Sequence, residues 1–476
     1  MNAPPRALRE AVATLHAAGT ASQLYGSGDT SYEGISIDSR TLAPRALYVA
    51  IRGERFDGHT FAQAAQERGA AALLLEHPMN VGLPQIVVPD ARHALGTIAC
   101  AWRRQFGMPL IGVAGSNGKT TTTQMIASIL AHAFGEREGR RSWFATIGNR
   151  NNEIGVPLML LELRAEHRAA VLELGMNHPG EIEVLTGWAQ PTVALVTNAQ
   201  REHQEFLDSI EATAQENGAA IRGLDADGVA VFPADDPCAG IWRTDAGVRR
   251  TVDFALRGPA AVTAQAKVEA QSSTMQLRTP SASVDIELQV GGEHNVRNAL
   301  AAAAACVAAR IPDAAIAQGL AAFRPVSGRG TRYRLPSGVA VIDDSYNANP
   351  DSVRAAIDLL ARHAGRRLLV LGDMAEVGVH GPEFHEEVGA HARARGIDEL
   401  FAFGPQSRAT VSAFGAGARH FDSMDELLRA VAPYANAPSD PSIALTILIK
   451  GSRSTRMERV SAILAPQSVH GTAHHA

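Results

Sequence analysis

One stretch decides the fold of this chain: Pro109-Leu110-Ile111-Gly112-Val113-Ala114-Gly115-Ser116-Asn117-Gly118-Lys119-Thr120, followed by Thr121-Thr122-Thr123. The apolar run before the glycines predicts a short buried strand, and the glycines predict a tight turn. Residues 120 to about 134 carry apolar side chains at helical spacing and predict a helix. The order strand, glycine-rich turn, helix is typical of a loop that binds phosphate groups.

The residue types in the turn are suited to binding a nucleoside triphosphate. Backbone N–H groups at a helix N-terminus attract phosphate oxygens, Lys119 adds positive charge, and the Thr120 hydroxyl can hold Mg²⁺. The usual pattern places glycine at position 113, where this chain has Val113, so an ordinary glycine-rich turn is the alternative interpretation. We expect an ATP site whose loop residues are Gly115, Ser116, Asn117, Gly118, Lys119, Thr120 and Thr121.

Length and composition narrow the class of protein. A chain of 476 residues is too long for one core and predicts about three domains. The net charge of −5 argues against nucleic acid as a partner. Three scattered cysteines without metal spacing predict core thiols in a reducing compartment, and residues 1–15 contain no apolar run. We therefore expect a cytoplasmic protein with no membrane span.

The pattern of strands and helices predicts an α/β protein with three domains. Residues 1–107 are expected to form a small N-terminal α/β module, and residues 108–326 a central P-loop ATPase-like domain with a parallel sheet. Residues 327–466 alternate strands with helices, which predicts a doubly wound, Rossmann-like domain without a dinucleotide fingerprint. Residues 467–476 are expected to be a disordered tail.

Polar residues follow the buried strands of the predicted central sheet. Glu173 ends one such strand, and Asn198 and His203 follow the next. The carboxyl ends of parallel strands form the ligand crevice, so these side chains should lie near Lys119 and Thr120. A carboxylate and an imidazole there can complete metal coordination beside a triphosphate, although a lone histidine is as often structural.

Two further polar clusters are candidates for ligand binding. Ser36, Asp38, Ser39 and Arg40 end a predicted strand and fit either a phosphorylated ligand or a solvated turn. In the third domain, polar residues follow the strands at 343–350, 372–374 and 450–453, and this edge could face the phosphate loop.

Taken in order, these motifs resemble those of the Mur ligase family. The matching landmarks are residues 115–120, Glu173-Leu174-Gly175, Thr197-Asn198 with His203, His294-Asn295 to Asn298, Arg329, and Asp344-Ser345-Tyr346-Asn347 with Asn349-Pro350. Four stretches, at 151–157, 173–182, 345–350 and 371–376, are most similar to members that add a dipeptide.

The resemblance implies an ATP-dependent amide ligase of peptidoglycan precursor synthesis. Its substrates would be the small molecules UDP-N-acetylmuramoyl-tripeptide and D-alanyl-D-alanine, joined through an acyl phosphate, by a monomer. By this resemblance Lys119, Glu173 and His203 are catalytic, and Thr120, Glu173 and His203 bind Mg²⁺. Asn298 would contact the adenine region of ATP, Arg329 and Asp344 its phosphate and ribose, Ser36, Asp38, Ser39 and Arg40 the uridine nucleotide, and Asn347 and Asn349 the dipeptide.

One position departs from the family pattern. Many members carry a carbamylated lysine on the helix after the His203 loop, where this chain has Asn217. Either the adjacent Glu216 supplies the missing negative charge or a second metal ion is held differently.

Three alternatives remain open at this stage. The chain could be the family member that adds the third residue, or a folylpolyglutamate synthase of the same architecture. It could also be a non-catalytic ATP-dependent switch, although a switch has no need for both Glu173 and His203 beside the phosphates.

Overall fold

A parallel six-stranded sheet carries the phosphate loop. In the computed structural model, which describes residues 5–53, 56–202, 204–436 and 444–465, strand Leu110–Ala114 lies inside this sheet. The strand order is Phe144–Ala145, Ala170–Glu173, Leu110–Ala114, Val193–Val196, Val229–Val231 and Arg250–Thr251. The strands that follow the loop strand along the chain lie on both sides of it, Phe144–Ala145 and Ala170–Glu173 on one side and Val193–Val196 on the other. This change of side opens a crevice at the carboxyl ends of the strands.

Helices cover both faces of this sheet. The loop strand is buried at every position, as expected for a parallel strand covered on both faces. The central unit, from Leu110 to Ala322, contains helices Lys119–Phe134, Gly155–Leu161, Glu181–Ala189, Ile210–Arg222, Ala239–Ala246, Glu293–Ala308 and Asp313–Ala322, and a hairpin of Glu136–Arg137 and Arg140–Arg141.

A second sheet in the central unit was not predicted from the sequence. Its four strands run in the order Phe254–Ala255, Val262–Val268, Ser273–Arg278 and Ser283–Leu288. The last three pair antiparallel, and Ser273–Arg278 alternates buried and exposed residues because one face packs on the core. The sheet contacts helix Glu293–Ala308, which carries Asn298.

The amino-terminal unit, from Arg6 to Arg103, is a small α/β module. Its sheet has the strand order Gln23–Tyr25, Gln85–Val87, Ala72–Leu75, Leu47–Val49 and Ile35–Ser36, and Arg6–Ala7 pairs separately with Ser31–Tyr32. Helices Leu8–Ala17, Ala62–Glu67 and Ala91–Arg103 accompany it. The strand that the polar cluster was expected to end is only two residues long, Ile35–Ser36, and Asp38, Ser39 and Arg40 follow it outside the strand.

The carboxy-terminal unit, from Thr331 to Leu464, is the Rossmann-like part. Its strands run in the order Thr331–Arg334, Ala340–Asp344, Leu445–Lys450, Arg366–Gly372, Glu399–Phe403 and Ala418–Phe421. Only the first pairs antiparallel. The helices are Pro350–Leu360, Gly381–Ala394, Ser407–Phe414, Met424–Val431, Pro433–Asn436 and Glu458–Leu464.

The α/β class predicted from the sequence is confirmed. The domain boundaries at 107/108 and 326/327 stay predictions, and the tail at 467–476 lies outside the described residues. Cys100, Cys238 and Cys306 are buried free thiols, as the sequence predicted. Among the helices that the structure describes, none is both long and apolar enough to cross a membrane.

The phosphate-loop helix is held in place by close helix packing. Gly319 lies against the backbone of Ile129, and a Cβ atom added at Gly319 would meet Ile129 Cα at 2.4 Å. The Ser128 hydroxyl donates to the Gly319 carbonyl at 2.7 Å. Because backbone atoms cannot move aside cheaply, glycine is required at this contact.

We therefore expect Gly319→Ala to destabilise the protein by about 1–3 kcal/mol, the usual effect of overpacking. The control is Gly187→Ala, also in a helix but with no atom within 4 Å of the added Cβ, and it should be neutral or slightly stabilising. Thermal unfolding followed by circular dichroism measures both. Equal midpoints for the parent and Gly319→Ala would show that the helices separate easily at this contact.

Candidate active site

A cavity of about 750 Å³ opens between the phosphate loop and the carboxy-terminal unit. It brings together most of the nucleotide, metal and dipeptide residues predicted from the sequence: Ser116, Asn117, Gly118, Lys119, Thr120, Thr121, Glu173, Asn298, Arg329, Asp344, Asn347 and Asn349. Gly115 supports the loop without lining the cavity. His203, predicted to be catalytic and to bind metal, lies outside the described residues.

The turn itself requires glycine at two positions. Gly115 has φ +123° and Gly118 has φ +83°, a region that residues with a Cβ atom rarely adopt. There is also no room for a side chain, since an added Cβ would lie 2.1 Å from Thr197 Oγ1 at Gly115 and 2.2 Å from Asn298 Oδ1 at Gly118. Asn298, in the second turn of helix Glu293–Ala308, therefore packs directly against the loop.

Hydrogen bonds from the neighbouring strand end fix the loop. Asn198 Oδ1 accepts from the Asn117 N–H at 3.0 Å, and its Nδ2 donates to the Asn117 carbonyl at 2.9 Å. The Ser116 N–H donates to the Asn198 carbonyl at 3.1 Å. The loop is thus held in shape by its own strand neighbour, which leaves the N–H groups of the helix N-terminus for a ligand.

Asn217 has a structural role that the sequence did not reveal. Its Oδ1 accepts from the Gly115 N–H at 2.7 Å, and its Nδ2 donates to the Thr213 carbonyl at 3.0 Å. Glu216 instead accepts from the Gly180 and Ile182 N–H groups at 2.9 and 3.0 Å, at the start of helix Glu181–Ala189. Asn217 therefore supports the phosphate loop, and Glu216 caps a different helix.

Lys119 forms an ion pair that the sequence analysis missed. Its Nζ lies 3.0 and 3.1 Å from the two carboxylate oxygens of Glu202, and it also donates to the Gly115 and Ser116 carbonyls at 2.6 and 2.8 Å. Glu202, like His203, follows the end of strand Val193–Val196. That position was the only feature of the sequence that could have placed Glu202 near the loop. These contacts hold the Lys119 ammonium group against the loop backbone.

Glu173 brings a buried carboxylate to the cavity. It is only 2% exposed, and its Oε1 accepts from Asn151 Nδ2 at 2.8 Å. The Thr146 hydroxyl accepts from the Glu173 N–H at 2.9 Å, which fixes the end of the strand. Thr120 lines the same cavity, so a hydroxyl and a carboxylate, both hard oxygen donors, are available there.

The carboxy-terminal unit contacts the loop directly. The side-chain amides of Asn117 and Asn349 bond to each other, with Nδ2 to Oδ1 distances of 3.2 and 2.9 Å. Lys450 Nζ, nearly buried, donates to Asp344 at 2.6 Å and to the Asn347 carbonyl at 2.9 Å. These contacts order the strand ends that face the loop.

Two arginines flank Tyr346 at the cavity wall. The Arg329 guanidinium lies 4.0 Å from the centre of the Tyr346 ring, and that of Arg453 lies 5.7 Å away. Burial raises the pKa of Tyr346, so the phenol stays neutral at physiological pH. The ring therefore offers an apolar surface between two cations.

A second cavity of about 550 Å³ lies between the amino-terminal and central units. Ser36 and Asp38 line it, whereas Ser39 and Arg40 do not. Arg40 donates to both carboxylate oxygens of Asp38, at 3.0 and 2.8 Å, and this pairing lowers the pKa of Asp38 to about 2. Asn149 and Asn152 line both cavities, so the two adjoin.

Comparison with protein-family models identifies the chain. Residues 31–103 match the Mur ligase catalytic domain, residues 113–306 the Mur ligase middle domain, and residues 328–453 the Mur ligase glutamate ligase domain. The chain belongs to the Mur ligase family. The resemblance inferred from the motifs is thereby confirmed.

Characterised relatives of this Mur ligase are similar over nearly its whole length. The UDP-N-acetylmuramoyl-tripeptide–D-alanyl-D-alanine ligase of Escherichia coli is 38% identical over 91% of this chain and 93% of the relative. The enzyme of the same name from Bacillus subtilis is 33% identical over 90% of this chain and 93% of the relative.

Solved structures agree with this assignment. MurF from Acinetobacter baumannii superposes on this Mur ligase with a TM-score of 0.88 at 31% identity. The superposition covers 98% of this chain and 99% of the A. baumannii chain. MurF from Thermotoga maritima in complex with ADP has a TM-score of 0.77 at 26% identity, covering 90% and 96%. A folylpolyglutamate synthase of Mycobacterium tuberculosis, at 19% identity and TM-score 0.62, shares the fold alone.

The crowding at Gly118 leads to a test of the loop. Gly118→Ala should abolish measurable ADP binding, because the added methyl group displaces Asn298 and strains the turn. Gly135→Ala is the control, since Gly135 ends the same helix at φ +62° with no atom near its added Cβ. Isothermal titration calorimetry with ADP measures both variants. Equal ADP affinities for the two variants would contradict the assignment of the loop.

Proposed function

We propose that this Mur ligase joins D-alanyl-D-alanine to UDP-N-acetylmuramoyl-tripeptide at the expense of ATP. The observation that carries the proposal is the combination of the phosphate loop with whole-length similarity to enzymes that bear this activity in their names. The product is the UDP-linked pentapeptide precursor of peptidoglycan, formed together with ADP and phosphate.

The phosphate loop is proposed to bind ATP. Residues 118–121, at the start of helix Lys119–Phe134, line the cavity, and N–H groups at a helix N-terminus suit the β- and γ-phosphates. Lys119 would exchange its contact with Glu202 for one with the phosphates, since its flexible stem reaches either group. Asn298 supports the adenine side, and Arg329 and Asp344 approach from the carboxy-terminal unit.

Thr120 and Glu173 fit a magnesium ion. Mg²⁺ in phosphoryl-transfer sites usually takes one or two carboxylates together with substrate phosphates, and a hydroxyl with one carboxylate is such a set. Bound there, Mg²⁺ would neutralise charge on the transferring phosphoryl group. The part of the chain that the structure describes contains no cluster of three acidic, histidine or cysteine ligands, and His203 stays a predicted additional ligand.

The chemistry proceeds in two steps. A terminal carboxylate oxygen of the tripeptide attacks the γ-phosphorus of ATP, the bond to the bridging oxygen breaks, and ADP leaves. The amine of D-alanyl-D-alanine then attacks the acyl carbon, loses a proton, and phosphate departs with the electron pair of the broken C–O bond. The first step brings a carboxylate to a triphosphate and the second brings an amine to an acyl phosphate, so charge neutralisation and positioning supply most of the catalysis.

The adjoining cavities support a path for the long precursor. The uridine nucleotide is proposed to occupy the second cavity at Ser36 and Asp38, with Ser39 and Arg40 beside it. The peptide would pass Asn149 and Asn152 and present its carboxylate in the main cavity. Asn347 and Asn349 lie on the opposite wall and suit the incoming dipeptide.

The remaining features follow from this activity. A monomeric ligase stays part of the proposal. Use of ATP supports a cytoplasmic site of action.

Phosphate release in the presence of ATP, Mg²⁺ and the UDP-linked tripeptide tests the proposal. Release should require D-alanyl-D-alanine as well and should fall at least roughly a hundredfold in Lys119→Ala, the scale on which one positioned transition-state contact acts. Lys267→Ala, at an exposed lysine paired with Glu269, is the control and should match the parent.

Release with the UDP-linked dipeptide as acceptor, triggered by a single amino acid, would indicate the third-residue ligase instead. ATP binding with no substrate-dependent release would indicate the switch.

A further inference from the structure

Arg201 links the central and carboxy-terminal units. Its side chain donates to Asp351, with Nη2 to Oδ1 at 2.6 Å and Nε to Oδ2 at 3.1 Å, and its backbone N–H donates to the same carboxylate at 3.0 Å. It also donates to Glu387 at 2.6 and 3.1 Å. One guanidinium from the central unit thus holds two helices of the carboxy-terminal unit.

This contact is stronger than an ordinary surface ion pair. The side chain of Arg201 is only 17% exposed, and its guanidinium lies 5.0 Å from the centre of the Phe384 ring. Hydrogen bonding to Glu387 raises the pKa of Arg201, and the same contact lowers the pKa of Glu387. Charge-assisted bonds with two oxygens at fixed geometry are about twice as strong as neutral ones.

The neighbours of Arg201 contact the phosphate loop. Gln200 accepts from Asn117 Nδ2 at 2.6 Å, and Glu202 pairs with Lys119. Asp351 follows Asn349 by two residues, and Asn349 bonds to Asn117. Three consecutive residues, 200 to 202, therefore join the loop on one side and the carboxy-terminal unit on the other.

We infer that Arg201 is a positioning residue that holds the carboxy-terminal unit against the phosphate loop. It does not line the cavity itself and acts through Asp351, which does. Holding Asp351 places the start of helix Pro350–Leu360, and with it Asn349, opposite the γ-phosphate side of the loop. The effect of Arg201 on the reaction rate rests on the proposed ligase function. Its effect on how the two units are held together does not.

The test compares Arg201→Met with Arg354→Met. Arg354 pairs with the same Glu387, but both lie in the carboxy-terminal unit, so its loss leaves the contact between the units in place. Small-angle X-ray scattering with a non-hydrolysable ATP analogue and the UDP-linked tripeptide should give a larger radius of gyration for Arg201→Met than for the parent. Arg354→Met should match the parent.

The kinetic arm measures kcat and KM for the dipeptide. Loss of the charge-assisted bonds of Arg201 should lower kcat/KM by about 10- to 100-fold. Arg201→Lys should recover part of this loss, and Arg354→Met should stay within about fivefold of the parent. The circular dichroism spectra at the assay temperature should match that of the parent for all three variants, which shows that each variant is folded and separates positioning from unfolding.

Two results would overturn the inference. One is an unchanged radius of gyration in Arg201→Met, and the other is a kinetic loss no larger than that of Arg354→Met. If the parent released no phosphate with both substrates, the proposed function would fail, and the scattering comparison would still decide the role of Arg201.

Discussion

The backbone conformation at Gly115–Gly118 is the constraint on which the site depends. Two glycines with positive φ turn the chain from a buried strand into a helix within four residues. Thr197, Asn198, Asn217 and Asn298 crowd around the turn, so its shape comes from three separate segments of the central unit. A turn fixed in this way needs no rearrangement to present N–H groups to phosphate, which is how a preformed site lowers the cost of binding.

Two lysines near the phosphate loop are each paired with a carboxylate. Lys119 is held by Glu202, and Lys450 is held by Asp344. Both cations are mostly buried, and an unpaired buried cation is costly. Each pair thus keeps a cation in place at low cost, and in the proposed function an anionic substrate would take over this contact at Lys119. The segment that supplies Glu202 also supplies Arg201, so contacts to the phosphate loop and contacts between the units share one short stretch of chain.

The sequence predicted what depends on local pattern. The phosphate loop, the parallel strands and the Rossmann-like alternation were visible because apolar period and glycine position are local signals. Strands and helices alternate through the carboxy-terminal unit, as the sequence predicted. What could not be predicted depends on partners far away along the chain. Asp351 is 150 residues from Arg201, and the hydrogen bond of Asn217 to Gly115 spans 102 residues. From the sequence, Asn217 was notable only because it replaces the lysine of the family pattern. In the structure, its amide accepts a hydrogen bond from the Gly115 N–H and supports the loop.

In the proposed reaction, the tripeptide carboxylate is phosphorylated in the main cavity before the amide forms. Transfer of a heavy oxygen label tests it most directly. UDP-linked tripeptide labelled in its terminal carboxylate is converted with ATP and D-alanyl-D-alanine, and the released phosphate is examined by mass spectrometry. We expect one labelled oxygen in each phosphate, because the carboxylate oxygen bonds to phosphorus and leaves with it. Amide product accompanied by unlabelled phosphate would show that no acyl phosphate forms.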